Sequence, residues 1–384
     1  MKELGAEKLH EECGVFGVYS PKESDVVMKT YYGIFALQHR GQESCGIAVN
    51  DDGVISGHKD VGIVNDVFDA ETITKLGQGH IAIGHVRYGT KITATQANAQ
   101  PMTVNHMKGA MALATNGAII NAGELRHELE MNGLIFHSVS DSEIIASIII
   151  KERLRTDSIE AAITEAMNSL KGAYSMVAMS PRKLVGVRDP YGFRPLVIGK
   201  RDDMYVIASE TCALDAVGAK FMRDVEPGEI VIVDSDGLRS IKKHVKKCEK
   251  ALCSFEYIYF SRPDSIVDGT SVHDARRRAG ALLALDNRVD ADVVIGVPDS
   301  GIDAAMGYSQ QSGIPYGLGF IKNKYIGRTF IQNDQKYREE RLKIKLNVVE
   351  STVRGKRVIM VDDSIVRDTP TRSEERRVGK ECRS

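Results

Sequence analysis

The chain changes rhythm once, near residue 240, and that change constrains its fold more than any other feature. Before it, short apolar segments recur between Gly, Asn and Asp breaks: GVFGVY (14–19), CGIAVN (45–50), IAIGHVRY (81–88), MALAT (111–115) and YSMVAM (174–179). Segments of that length read as strands. Asp51-Asp52-Gly53 and Asp234-Ser235-Asp236-Gly237 predict hairpins, and Asn116-Gly117 predicts a turn. Apolar positions Val27, Tyr31, Ile34 and Phe35 predict a helix over about 25–37. Ile144, Ile145, Ile148 and Ile149 predict another over about 142–154, and a third follows over about 158–170. Strands and helices without strict alternation predict an α+β sandwich of layers.

The polar run IKKHVKKCEK (241–250) reads as an exposed connection. Beyond it, VVIGVP (293–298) is a continuous apolar strand followed by Asp-Ser-Gly and a helix predicted over about 302–311. A second strand is predicted near 315–320, and RVIMVDDS (357–364) sets two acids at the end of another buried strand. Apolar strands that each feed a polar loop and a helix predict a parallel α/β sheet. Ligands of such sheets sit outside the carboxyl ends of the strands.

Composition excludes several classes. The 51 Lys and Arg against 52 Asp and Glu give a net charge of −1, without the basic excess of a nucleic-acid binder. The longest apolar stretch, 144–150, is interrupted by Ser147 and is far short of a bilayer span. The N-terminus MKELGAEKLHEE has no apolar core of a signal peptide, and six irregularly spaced cysteines make no disulfide framework. The expectation is a soluble cytoplasmic protein with reduced thiols and no membrane or nucleic-acid partner.

Cys13, in Glu11-Glu12-Cys13-Gly14-Val15-Phe16-Gly17, starts the first strand. On its own it reads either as a small buried hydrophobe or as a reactive thiol. Arg40, Asn116 and Asp141 each have a local explanation too: a helix C-terminal cation, a turn and an N-cap. Taken in order, ECGVFG, LQHRGQES, GHVRYGT, TNGAIINAGELR and SDSEII resemble the class II glutamine amidotransferases, whose nucleophile is an N-terminal cysteine. That resemblance implies an αββα N-terminal-nucleophile sandwich over 13–240 and a propeptide at 1–12. It implies Cys13 as nucleophile, with its own α-amine as base, and Asn116 and the Gly117 N–H as the oxyanion hole. Arg87 would clamp the glutamine α-carboxylate, Asp141 would bind the α-ammonium, Thr90 would line the pocket and Arg40 would orient the site.

Adjacent acids after a buried strand, Asp362-Asp363, could simply cap a helix. The run of strand, Asp-Asp and hydroxyl loop also resembles the phosphoribosyl diphosphate (PRPP) motif of type I phosphoribosyltransferases, and Val297-Pro298-Asp299-Ser300-Gly301 resembles their pyrophosphate loop. The resemblance implies Ser300, Asp362 and Asp363 in a Mg²⁺–PRPP environment, Ser364 at the 5-phosphate, and Lys324 and Arg328 in a closing loop. Together the two halves resemble the glutamine-dependent PRPP amidotransferases, including FEYIYFSRPDS (255–265), over about residues 11–367. The implied substrates are glutamine and PRPP; the implied products are 5-phosphoribosylamine, glutamate and pyrophosphate; and the implied assembly is a homo-oligomer, dimer or tetramer. One branch of that family holds a [4Fe–4S] cluster, and its first ligand matches Cys253.

The tail, 368–384, shows no 3.6-residue apolar face and reads as foreign or disordered, so the phosphoribosyltransferase domain, 250–367, is expected to be incomplete. Asp368 stands where the family has a glycine near phosphate, which predicts little or no transfer to PRPP by this chain. A bare glutaminase and a PRPP-sensing regulatory protein are the alternatives.

Overall fold

The computed structural model describes residues 13–89, 94–323 and 346–364. The chain divides into two compact units: one runs to Glu256 and takes in Ile266–Gly269, and the other holds Tyr257–Ser265 and continues from Thr270.

Two antiparallel sheets form the first unit. The seven-stranded sheet runs, edge to edge, Lys220–Asp224, Val197–Arg201, Met204–Ala208, Gly14–Ser24, Gly79–Arg87, Ser44–Asp51, Val54–Val61. The six-stranded sheet runs Gly237–Ile241, Ile230–Asp234, Lys183–Arg188, Gly172–Ser180, Gly109–Ile119, Met102–His106. Alternate residues of both sheets, among them Val15, Ala48, Ile83, Ala114 and Val177, share one inner core, as the two-residue period of strands requires. The opposite face of the first sheet packs Phe16, Ile47 and Val86 against Ile34 and Leu214 from helices Val26–Ala36 and Thr211–Ala216. The outer face of the second sheet packs Met111 and Met176 against Ile145, Ile149 and Ile163 from helices Asp141–Arg153 and Ile159–Ala166. The result is the expected αββα layering.

Local signals explain most boundaries. Asp25 caps helix Val26–Ala36 by accepting from the Met28 N–H at 3.1 Å, and Ser140 caps Asp141–Arg153 through Ser142. Both predicted Asp-Gly hairpins form. Asn116-Gly117 is different: it lies inside strand Gly109–Ile119, paired with Ser175 and Tyr174, and is not a turn. Gly117 does take a positive φ of 124°, and a Cβ there would stand 2.1 Å from the Ala173 carbonyl oxygen. The local turn propensity is therefore expressed as a backbone twist within a strand, because long-range pairing outweighs it.

In the second unit the strands Val293–Gly296 and Val358–Val361 pair in parallel, and Tyr316 makes a parallel bridge to Val294. Helix Gly301–Ser312 follows the first of these strands and ends on Gly313 in the left-handed region. The predicted second strand is reduced to that bridge plus Phe320–Lys322, which pairs antiparallel with Leu346–Val348.

Candidate active site

At one end of the inner core of the first unit the apolar pattern stops. Continuing the strand alternation, Ser44, His85 and Arg87 in one sheet and Asn116 and Ser175 in the other occupy inward-facing positions. Cys13, fully buried, immediately precedes Gly14, which pairs with Val86. Its strand is anchored next to it: the Val15 N–H donates to the Ser209 hydroxyl at 2.9 Å, and the Ser209 N–H donates to the Val15 carbonyl at 3.0 Å.

Asn116 is completely buried, and among the described residues neither its Oδ1 nor its Nδ2 has a hydrogen-bond partner. A buried carboxamide left unpaired costs about 1–3 kcal/mol, so the fold tolerates a cost here that it avoids almost everywhere else. The Ser44 hydroxyl and His85 Nδ1, facing the same end, are also buried and unpartnered among the described residues.

Arg87, also buried, donates from Nη1 to the Asn98 carbonyl at 3.2 Å. The Asn98 carboxamide oxygen accepts from the Val139 N–H at 3.0 Å, two residues before Asp141. Asp141 starts its helix and accepts from the Ile119 N–H at 2.9 Å, three residues beyond Asn116. His85 donates from Nε2 to the Thr115 carbonyl at 2.9 Å. Burial drives its pKa down to about 3, with Arg87 and Lys59 adding to the fall, so the ring is neutral.

Arg40 does not open onto solvent. It is fully buried, bonded through Nε to Glu210 and through Nη2 to Glu256 at 2.5 Å, and His39 Nε2 lies 2.7 Å from Glu210. Arg194 reaches the same Glu256 at 3.1 Å. Burial alone would weaken the Arg40 cation, but the two carboxylates outweigh it and raise its pKa. Burial likewise pushes the Glu256 carboxyl up, and Arg40 and Arg194 more than reverse that, holding it below its ordinary range. Arg40 is thus the centre of an internal ion cluster whose carboxylates, Glu210 and Glu256, carry no local signal in the sequence.

In the second unit, the loops after the two parallel strands meet. The Val297 N–H donates to the Val361 carbonyl at 2.9 Å. Gly301 is required there, since a Cβ would stand 2.4 Å from the same carbonyl oxygen. The Ser300 hydroxyl bonds the Asp363 carboxylate, Asp363 also accepts from the Ser364 hydroxyl at 2.7 Å, and Lys322 pairs with Asp299. Asp362 accepts from the Asp363 N–H at 2.8 Å, and its carboxyl is pushed up by burial and by the neighbouring Asp363 charge. The carboxylates of Asp362 and Asp363 and the hydroxyls of Ser300 and Ser364 are oxygen donors of the kind a hard divalent cation takes.

Cys253 is partly buried, with its N–H donating to the Phe193 carbonyl at 3.1 Å. Among the described residues no group of three or more His, Cys, Asp or Glu side chains comes together as a metal site. They do not assemble the four thiolates of an iron–sulfur cluster, and Cys382 lies outside them. Thr90, Lys324, Arg328, Asp368, the 1–12 segment and the 368–384 tail also lie outside the described residues. No helix among the described residues is long and apolar enough to cross a membrane.

Residues 85–216 match the glutamine amidotransferase domain family, a span that includes His85, Arg87, Asn116 and Asp141. The amidophosphoribosyltransferase of Bacillus subtilis is 47% identical over 365 residues, covering 95% of this chain and 75% of that protein. A solved structure described as the allosteric regulatory enzyme of purine biosynthesis superposes with a TM-score of 0.89 at 46% identity, over 96% of this chain and 78% of that one. The B. subtilis glutamine PRPP amidotransferase complexed with ADP and GMP gives 0.87 at 46% identity, over 96% and 79%. The chain belongs to the amidophosphoribosyltransferase family.

Proposed function

We infer that this chain catalyses the first step of purine biosynthesis, glutamine-dependent amination of PRPP, with glutamine cleaved in the first unit and PRPP bound in the second. The observation that carries the glutamine half is the fully buried Asn116 carboxamide, without a partner among the described residues, beside the glycine twist. An oxyanion hole is a set of donors with nothing to bond until the reaction supplies it.

In the proposed chemistry the Cys13 thiolate, deprotonated by its own α-amine once residues 1–12 are removed, attacks the side-chain amide carbon of glutamine. The oxygen of the tetrahedral intermediate takes the Asn116 Nδ2 and Gly117 N–H donors. The C–N bond breaks, ammonia leaves with the proton returned by the amine, and water hydrolyses the γ-glutamyl thioester to glutamate. Arg87 pairs with the substrate α-carboxylate and Asp141 with its α-ammonium, while Arg40 orients the site from its internal ion cluster. In the second unit ammonia attacks C1 of PRPP and pyrophosphate departs. Asp362 and Asp363 bind the ribose hydroxyls, Ser300 the pyrophosphate, and Ser364 the 5-phosphate. Mg²⁺ is the cation their oxygen donors suit, and it supplies charge neutralisation of the leaving pyrophosphate.

The test is paired. Glutaminase activity should vanish in Cys13→Ala, and intact mass should show that active protein begins at Cys13. Full activity in protein that retains Met1 would sink the mechanism.

A further inference from the structure

The oxyanion donors can work only if the strand that carries them keeps its position relative to Cys13, and the sheet does not secure that strand on both sides. Strand Met102–His106 pairs with Gly109–Ile119 only as far as Met102 opposite Leu113. Two residues further on, at Thr115, this edge has no strand beside it among the described residues. Instead two side chains take the backbone groups: Gln100 Oε1 accepts from the Thr115 N–H at 2.7 Å, and His85 Nε2 donates to the Thr115 carbonyl at 2.9 Å. That carbonyl belongs to the peptide joining Thr115 to Asn116. Asn116 itself has no side-chain hydrogen bond among the described residues to orient it.

We propose that His85 is a positioning residue for the glutamine half-reaction, a cross-sheet strut that fixes the Thr115–Asn116 peptide, and with it the oxyanion donors, against the strand bearing Arg87. The inference rests on the assignment of Cys13 and Asn116 given above. Because a carbonyl is the acceptor, the proton sits on Nε2 and the lone pair on Nδ1. With Nε2 engaged and the buried ring neutral down to about pH 3, His85 is not the acid or base of the reaction. Its two neighbours in the register are Val15 in the nucleophile strand and Gly46 in the next, so its end of the strut is tied to the strand that follows Cys13.

The strut acts on transition-state stabilisation and leaves the groups that would hold ground-state glutamine, Arg87 and Asp141, in place. Glutaminase kinetics on the full chain test this. His85→Ala should lower kcat about ten- to a hundredfold, part of the value of an oxyanion donor, with KM for glutamine within about twofold. His85→Gln, whose amide can donate from nearly the same point, should recover most of the loss. Gln100→Met, which removes the other bond to Thr115, should repeat the kcat effect. Unchanged kcat in a folded His85→Ala protein, a rise in KM alone, or equal losses in His85→Ala and a folded His85→Gln would overturn the inference. Activity lost in Cys13→Ala but intact in His85→Ala overturns the inference alone. Activity surviving in Cys13→Ala overturns the underlying reading and the inference together.

Discussion

Arg40 and Glu256, 216 positions apart in the sequence, meet at 2.5 Å with neither side chain exposed. Removing one member of such a buried pair leaves an uncompensated charge inside the protein and costs about 3–5 kcal/mol. Arg40→Met should therefore destabilise the chain by that order, read as a lower urea midpoint. Adding Glu210→Gln and Glu256→Gln should restore much of it. A loss below about 1 kcal/mol would show that water reaches the cluster.

Asn116→Ala should lower glutaminase kcat about a hundred- to a thousandfold, with little change in KM. Thermal midpoint should hold steady or rise, because the substitution deletes two buried polar atoms that have no partner among the described residues. Parallel loss of stability and activity would mean that Asn116 is a structural residue.

The parts of this site that sequence makes legible are those announced by local chemistry. Cys13 precedes an apolar strand, Arg87 ends one, and Asp141 begins a helix with a clear isoleucine face. The supporting residues carry no such mark. Glu210 and Glu256 matter because they close on Arg40 from 170 and 216 positions away, and Gln100 because a strand ends two residues short of Thr115. None of these has a periodicity to read. Asn116-Gly117 misleads for the converse reason, since its local preference for a turn is strong and the pairing that overrides it lies with Gly172–Ser180. In the second unit the two apolar runs foretell a parallel pair, whereas the antiparallel pairing of Phe320–Lys322 with Leu346–Val348 has no signal of its own.

Two buried groups should give the stability an opposed pH dependence. His85 is depressed from 6.5 to about 3, so the unfolded chain takes up a proton that the fold refuses. Its contribution is complete above pH 6.5 and is lost on acidification toward 3, at up to about 1.4 kcal/mol per unit. Asp189 is raised by burial from 3.8 to about 6, so its contribution is present below 3.8 and is lost as pH rises through 6. Denaturation curves from pH 4 to 6 should thus become more acid-sensitive in Asp189→Asn and less so in His85→Gln. The reverse ordering would refute these environments.

Asp363→Asn weakens the acceptor for both Ser300 and Ser364. Calorimetry should show Mg²⁺-dependent PRPP binding weakened by about tenfold or more, while the rate of Cys13 alkylation stays unchanged. Unaltered PRPP affinity would remove this acid from the proposed site.

The Ser44, His85 and Asn116 atoms that have no partner among the described residues gather at one end of an otherwise apolar layer. A library of this chain selected for heat tolerance alone would be drawn to that end, where an apolar replacement relieves a desolvated dipole. The survivors would be robust and inert. Any thermostabilisation campaign on this fold therefore needs turnover as a second gate, applied at these three positions first.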